Sequence, residues 1–292
     1  MAISIKEAIN MSTQMLTMAK CDTPKLDSEV LLAFFLNVDR SFLFAHYSDD
    51  LDEKGSDSFF EIIDKRIAGV PVPYITGRKE FMGISFKVNE NVLIPRPDTE
   101  ILVEETIELA NEMQKGLASL EILDLCCGSG AIAVSLAYYL NKAKLTASDI
   151  SGPALMIAKD NARDYKLLNK IKFVQGDLFA PFKSSGFGKT QFDIIVSNPP
   201  YIKSLEIQTL QREILENEPL LALDGGESGL DFYAKIIEKA PDFLKKNGCL
   251  ILEIGYDQKD AVFALLEATG KFKEYKVEKD LAGHDRVVVA KK

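Results

Sequence analysis

The sequence predicts an α/β fold: a mainly parallel sheet of seven strands covered by helices on both faces, preceded by a small helical region. Three observations carry this. From about residue 120 onward, short runs rich in Ile, Leu, Val and Phe alternate with amphipathic segments, the pattern of strands joined by helical crossovers. The first of those runs ends in a glycine loop, Gly128-Ser129-Gly130, which lets the backbone turn tightly and approach a ligand at a helix N-terminus. Residues 1 to about 70 instead repeat apolar residues at helical spacing.

Taken in order, Ile5, Ala8, Ile9, Met15, Leu16 and Ala19 share one face of a first helix. Thr23-Pro24 reads as an N-cap followed by proline at the first helical position, opening a second helix through Leu36. A third helix, Phe59 to Ala68, ends at Gly69, and Pro71 and Pro73 forbid its continuation. Between Glu80 and Leu93 the pattern turns toward strand, a hairpin or linker. A helix follows from Ile101 to about Met113. Strands are expected at Glu121–Leu125, Lys144–Asp149, Ile171–Gln175, Phe192–Ser197, Cys249–Ile254, Phe272–Val277 and Arg286–Ala290. Helices are expected at Ala131–Leu140, Gly152–Asp164, Leu230–Ala240 and Gln258–Ala268. The expected domains are a helical one over 1–72, a hairpin linker over 73–95 and the α/β domain over 96–292.

Composition narrows the function classes. A net charge of −9 and a pI near 5.0 argue against a surface that grips nucleic-acid phosphates, and no dense Lys/Arg run compensates. The longest uninterrupted apolar run, Val30 to Leu36, is too short to span a bilayer. The N-terminus, with Lys6 and Glu7, has no signal-peptide core. Cys21, Cys126, Cys127 and Cys249 show no metal-ligand spacing, so free thiols in a reducing cytoplasm and no bound metal are expected. His46 and His284 stand alone, far from the cysteines in sequence. Nothing demands more than a monomer.

The chemistry concentrates at strand ends. Asn198-Pro199-Pro200-Tyr201 closes the apolar run Phe192–Ser197. The two prolines lack N–H groups, so the segment offers an amide side chain and bare carbonyl oxygens beside an aromatic ring, a seat for a planar NH2 group. Asp149 ends the second strand of the sheet, 19 residues beyond Gly130, where an acid accepts hydrogen bonds from ribose hydroxyls. Asp177, followed by Leu178 and Phe179, comes after the third strand and could accept from an exocyclic amine while the apolar pair packs a purine. Cys126 stands where a dinucleotide fingerprint would have its first glycine, so the spacing fits a shorter nucleoside ligand better. Four candidate groups thus lie at the C-terminal ends of four consecutive strands, the edge at which open parallel sheets bind ligands.

Gly128-Ser129-Gly130, Asp149, Asp177 and Asn198-Pro199-Pro200-Tyr201 together resemble a class I (Rossmann-like) S-adenosylmethionine-dependent methyltransferase acting on nitrogen. Further blocks are similar to those of one family, the bacterial release-factor glutamine methyltransferases, also called HemK or PrmC. They are Pro73 to Gly77, Leu93-Ile94-Pro95-Arg96-Pro97-Asp98-Thr99-Glu100, Glu218 to Gly226 and Asp280 to Val289. The resemblance runs from about residue 70 to the C-terminus, and the helical region suits the family in size and place. It implies transfer of the methyl of S-adenosylmethionine, leaving S-adenosylhomocysteine, to the side-chain nitrogen of the glutamine in the Gly-Gly-Gln tripeptide of release factors.

By the same resemblance, Cys126, Cys127, Gly128, Ser129 and Gly130 would line the methionine part of the cofactor. Asp149 would hold the ribose, Asp177 and Leu178 would flank the adenine, and Asn198 would touch both cofactor and substrate. Asn198 and the Pro199 carbonyl would accept the two amide hydrogens, with Pro200 fixing the backbone and Tyr201 packed beside the amide, and no general base. The family usually has Gly-Thr or Gly-Gly where this chain has Cys126-Cys127, and the Cβ at position 126 narrows backbone freedom there. Three readings stay open beside this one: a glutamine methyltransferase of a ribosomal protein, an adenine-N6 nucleic-acid methyltransferase, and a non-catalytic cofactor-binding scaffold.

Overall fold

The computed structural model describes residues 3–51, 53–114, 119–183 and 191–292. The chain divides into two compact units: Met1–Arg78 with Gln211–Asn217, and Lys79–Leu210 with Glu218–Lys292.

The first unit contains β1 (Ile3–Ser4), α1 (Ile5–Met18), α2 (Pro24–Leu36), α3 (Arg40–Ala45), β2 (Asp50–Leu51), α4 (Glu53–Ile67) and α5 (Val72–Thr76). Ser4 caps α1: its hydroxyl accepts the Glu7 N–H at 3.2 Å while the Glu7 carboxylate accepts the Ser4 N–H at 2.8 Å, satisfying two otherwise orphaned donors. Thr23 does precede the proline that opens α2, but it caps no backbone N–H. Its hydroxyl donates to Asp27 at 2.7 Å instead. Helix α4 starts at Glu53, before the expected Phe59; its first turns, Glu53-Lys54-Gly55-Ser56, lack the apolar periodicity that marks the rest. Pro73 sits in the first turn of α5, where a missing N–H costs nothing.

Ile5, Leu16, Leu31, Leu32, Phe59 and Ile63 form the core of this unit. Beside that core Arg66 is only 4% exposed. Its Nε donates to Asp27 at 2.7 Å and its Nη2 to Glu213, on the segment contributed from the later half of the chain. Two carboxylates on one planar guanidinium offset the cost of removing these charges from water.

The second unit contains β3 (Arg78–Phe81), β4 (Ile84–Lys87), α6 (Asp98–Gln114), β5 (Leu120–Leu125), α7 (Ala131–Tyr139), β6 (Ala143–Asp149), α8 (Gly152–Asp164), β7 (Ile171–Gln175) and β8 (Phe192–Ser197). Then come α9 (Arg212–Asn217, the segment that belongs to the first unit), α10 (Asp231–Phe243), β9 (Leu244–Glu253), α11 (Lys259–Thr269), β10 (Glu274–Lys279) and β11 (Asp285–Lys291). Seven strands form one sheet in the order β10-β11-β9-β8-β5-β6-β7, and β3 pairs with β4 separately. In this sheet β11 runs opposite to the other six strands.

Both faces of the sheet are apolar. Ile122, Ile194, Val196 and Ile251 enter one cluster, while Leu123, Leu125, Ile195, Leu250 and Leu252 enter the other. Alternate residues of a strand point to opposite faces, so burial on both faces produces the unbroken apolar runs seen in the sequence. Strand β10 begins two residues later than expected, since Phe272 is buried ahead of it. Strand β9 begins earlier, at Leu244, and passes through Asn247 in a left-handed conformation (φ 63°) with a register shift against β8. Helix α10 continues past Pro241 to Phe243. The chain leaves β5 toward β6 on one side, while β8 pairs on the other. That divergence opens a crevice at the C-terminal strand ends.

Candidate active site

The strand register sets the site. Leu125 pairs with both Ser148 and Ser197, Asp149 pairs with Gln175, and Ser197 pairs with Leu252. Cys126, Asp149, Asn198 and Glu253 therefore stand at one level on adjacent strands, with Asp177 just past β7. From β9 to β7 is four strand spacings, roughly 19 Å at about 4.8 Å each. A cavity of about 260 Å³ lies along this row, near the lower end of small-molecule sites, roughly 300 Å³ and upward. Cys126, Gly128, Asp149, Asp177, Leu178, Asn198 and Pro200 line it. A smaller cavity of about 50 Å³ touches Cys126, Cys127, Gly128, Ser129 and Asn198 together with Arg96 and Thr99. Of the expected site residues, Gly130, Pro199 and Tyr201 line neither.

The loop after β5 is held from three directions. The Gly128 N–H donates to Asp149 Oδ2 at 2.8 Å, the Cys127 N–H to the Ser148 carbonyl at 3.0 Å, and Asn161 Nδ2 to the Ser129 carbonyl at 2.9 Å. Asn161 also accepts the Lys87 N–H at 2.7 Å, tying the loop to β4. Cys126 and Leu178 both have positive φ, 59° and 43°. Two non-glycine residues in the left-handed region at one cavity are the kind of local strain that gathers at binding sites.

Asp149 receives a second backbone donor, Ser151 N–H at 2.8 Å on Oδ1. Burial raises its pKa and these backbone bonds pull it back. A carboxylate has about four acceptor positions, so the side chain that lines the cavity keeps capacity for further donors. On β5, Asp124 Oδ2 accepts the Ala133 N–H at 3.0 Å, while Oδ1 has no partner among the described residues. Burial holds Asp124 well above the usual carboxylate range. The Cys126 and Cys127 thiols are likewise pushed up by burial, which leaves neither activated as a thiolate.

Asn198 follows β8 directly. Its Nδ2 donates to the Thr99 hydroxyl at 3.2 Å, which leaves Oδ1 as an acceptor on a residue that lines both cavities. Tyr201 packs into the cluster on one sheet face, with its hydroxyl 3.5 Å from Glu253 Oε1 and its carbonyl accepting from Gln258 Nε2 at 3.0 Å. The Ile202 N–H donates to the Leu223 carbonyl and the Gly225 N–H to the Ile202 carbonyl, at 3.0 and 2.8 Å. Those two bonds fasten the segment after the prolines to the Glu218–Gly226 block. Within that block Glu218 accepts from the Ile94 N–H at 3.3 Å and from Arg96 Nη2 at 2.6 Å.

Two domain families match the chain: one described as PrmC N-terminal domain, over residues 7–77, and one as Methyltransferase small domain, over 102–227. The release factor glutamine methyltransferase of Moorella thermoacetica is 39% identical over 288 residues, covering 99% of this chain and 98% of that protein. The chain belongs to the release factor glutamine methyltransferase family. The Clostridium acetobutylicum protein of the same name is 39% identical over 291 residues, covering 99% and 98% of the two chains. Among solved structures, human methyltransferase 10 domain containing protein superposes with a TM-score of 0.52 at 17% identity, covering 71% of this chain and 88% of that one. That likeness is one of fold.

Four residues at or beside this site escaped the sequence reading. Thr99 was quoted within its block but given no task, although it holds the Asn198 amide. Glu253 sits in the otherwise apolar run Cys249–Ile254, and an acid inside a wholly buried strand is itself a signal. Phe232 and Lys235, which also line the larger cavity, lie on α10 with nothing in the local sequence to mark them. Among the described residues no group of three or more His, Cys, Asp or Glu could hold a metal ion, and no helix is long and apolar enough to cross a membrane.

Proposed function

We propose that this chain transfers the methyl group of S-adenosylmethionine to the side-chain amide nitrogen (N5) of the glutamine in the Gly-Gly-Gln motif of peptide chain release factors, modulating translation termination. The observation that carries the reading is Asn198, whose amide donates to Thr99 and leaves its oxygen as an acceptor at the cavity junction. Relatives of nearly the same length that are named for this activity support it.

The residues present fit the cofactor. Gly128 has nothing within 4 Å in its side-chain direction, so the loop offers an open cradle. Asp149 keeps acceptor capacity for a ribose, and Asp177 and Leu178 line the far end of the cavity for the adenine. When bound, S-adenosylmethionine supplies an electrophilic methyl group on a sulfonium sulfur.

The protein's task is the acceptor. A carboxamide nitrogen shares its lone pair with the carbonyl, and fully breaking that conjugation costs roughly 18–20 kcal/mol, the amide rotation barrier. Asn198 Oδ1 accepts one amide hydrogen, orienting the nitrogen and favouring its pyramidal form; the Pro199 carbonyl, on a buried residue that lines neither cavity, accepts the second only if the acceptor glutamine reaches past the cavity wall. Pro199 and Pro200 fix the carbonyl directions at little entropic cost. Tyr201 anchors the segment in the core. The methylated nitrogen loses its proton toward Asn198 Oδ1 and then water, so no general base is needed. The helical region over residues 1–72 serves as the docking domain for the release factor.

Methyl transfer from labelled S-adenosylmethionine to a purified bacterial release factor tests this, beside the same factor with its Gly-Gly-Gln glutamine changed to Ala. Label should enter only the unmutated factor. No label in either, with cofactor bound, would move the assignment to a ribosomal-protein or nucleic-acid acceptor.

A further inference from the structure

We infer that Arg96 is a cofactor-binding residue: its guanidinium grips the α-carboxylate of the methionine half of S-adenosylmethionine in the smaller cavity. The inference rests on the cofactor part of the reading above. The two cavities share Leu93, Cys126, Gly128 and Asn198, but their charges are sorted. Asp149 and Asp177 line only the larger one, together with Lys235. The smaller is lined by Arg96 and by no carboxylate. S-adenosylmethionine has the complementary distribution. Its nucleoside half offers hydroxyl and amine donors and no anion, and its methionine half ends in its only carboxylate. Seated with the nucleoside toward Asp149 and Asp177, the cofactor brings that carboxylate to the loop from Cys126 to Ser129, which lines the smaller cavity with Arg96.

Arg96 is built to stay in place. It stands between Pro95 and Pro97. The second proline disfavours helical backbone at Arg96 itself, and both reduce the entropy lost on ordering the segment. The Arg96 carbonyl accepts the Thr99 N–H at 3.1 Å where α6 begins. Its Nη2 donates to Glu218 Oε1 at 2.6 Å, and Glu218, buried, is itself held at Oε2 by the Ile94 N–H at 3.3 Å. A guanidinium carries five N–H donors in a rigid fork. Glu218 is the only partner of the Arg96 side chain among the described residues, so most of the fork is left for a second carboxylate. Charge-assisted pairs of this kind are the strong ones. The chain makes the same arrangement elsewhere, where Arg66 donates to both Asp27 and Glu213. There both carboxylates belong to the protein; at Arg96 the second is the ligand's.

Calorimetry with two ligands separates gripping from scaffolding. S-adenosylhomocysteine carries the carboxylate, whereas methylthioadenosine keeps the nucleoside and the sulfur and lacks it. Arg96→Met should weaken S-adenosylhomocysteine by at least about tenfold and hold methylthioadenosine within about twofold. Arg96→Lys should recover part of the lost affinity. If Arg96→Met does not fold, because Glu218 is left buried without its cation, Arg96→Met combined with Glu218→Gln removes both charges and meets the same comparison. Equal weakening of the two ligands overturns the inference, since it marks a scaffold effect through Glu218. An unchanged S-adenosylhomocysteine Kd overturns it as well, including where KM for a release factor rises instead. A wild type that binds neither ligand removes the cofactor reading, and this inference with it.

Discussion

Gly225→Ala is the sharpest test that the Asn-Pro-Pro-Tyr backbone is the working surface. A Cβ built at Gly225 would lie 2.7 Å from Tyr201 Cα, 2.8 Å from the Tyr201 carbonyl carbon and 3.0 Å from the Pro200 oxygen. All three are main-chain atoms, so no rotamer change relieves the clash. Restoring ordinary contact, which begins at 3.4 Å, requires the two segments to separate by about 0.7 Å. Overpacking of this kind costs about 1–3 kcal/mol of stability. A 1 Å misplacement of a reacting group can cost about 100-fold in rate, so kcat should fall by roughly 10- to 100-fold. Gly225 lines neither cavity, and cofactor Kd should stay within about threefold of wild type. The assay is labelled methyl transfer to a release factor at saturating substrates, with calorimetry and urea unfolding on the same protein. A variant that loses stability but keeps kcat within about twofold would mean the Gly225 segment gives way and the acceptor is held elsewhere, which refutes the reasoning.

Asn198→Ala should cut transfer by at least about 100-fold while cofactor Kd moves less than about threefold; a parallel fall in both would remove Asn198 from the acceptor role. Arg66→Met leaves the buried Asp27 and the Glu213 carboxylate without their cation and should cost about 3–5 kcal/mol, read by thermal or urea unfolding. A loss below about 1 kcal/mol would show that the pair was not compensating buried charge. Glu253 also leaves a signature in stability. Its folded pKa of about 7 lies above its ordinary 4.5, so the stabilisation from its bound proton is fully present below pH 4.5 and lost as pH rises through about 7. Relative to Glu253→Gln, wild type should lose roughly 3 kcal/mol across that window, and a flat difference in urea unfolding would refute the raised pKa.

Much of this was legible in the chain because the relevant patterns are local. Seven apolar runs with crossovers between them specify the sheet, and Asp149, Asp177 and Asn198 follow from their places at strand ends. What was not legible depends on pairing across distant segments. Thr99 and Asn198 meet over 99 residues of sequence, and Arg66 and Glu213 over 147; no periodicity encodes such contacts. Boundaries slipped where local propensity was overruled. Pro241 lies within α10, where Tyr233, Ile236, Ile237 and Ala240 are buried in the core, so packing holds a helix that the proline alone would end. Glu53–Ser56 begin α4 with little apolar signal of their own.

The order of groups along the sheet edge fits the proposed separation of cofactor from acceptor on one scaffold. Asp177, just past β7, and Asp149, the last residue of β6, lie at one end, and Glu253, the last residue of β9, at the other. Cys126 and Asn198 stand between them, directly after β5 and β8, the two strands that flank the topological switch. A donor-rich nucleoside suits the Asp149 end, whose carboxylate has acceptor capacity to spare. An NH2 acceptor suits the Asn198 end, provided the amide there keeps its oxygen outward. That condition is not met by Asn198 alone, since an isolated amide can rotate by half a turn and exchange donor for acceptor. It is met by α6, which supplies Thr99 from its first turn as the partner of the Asn198 amide N–H.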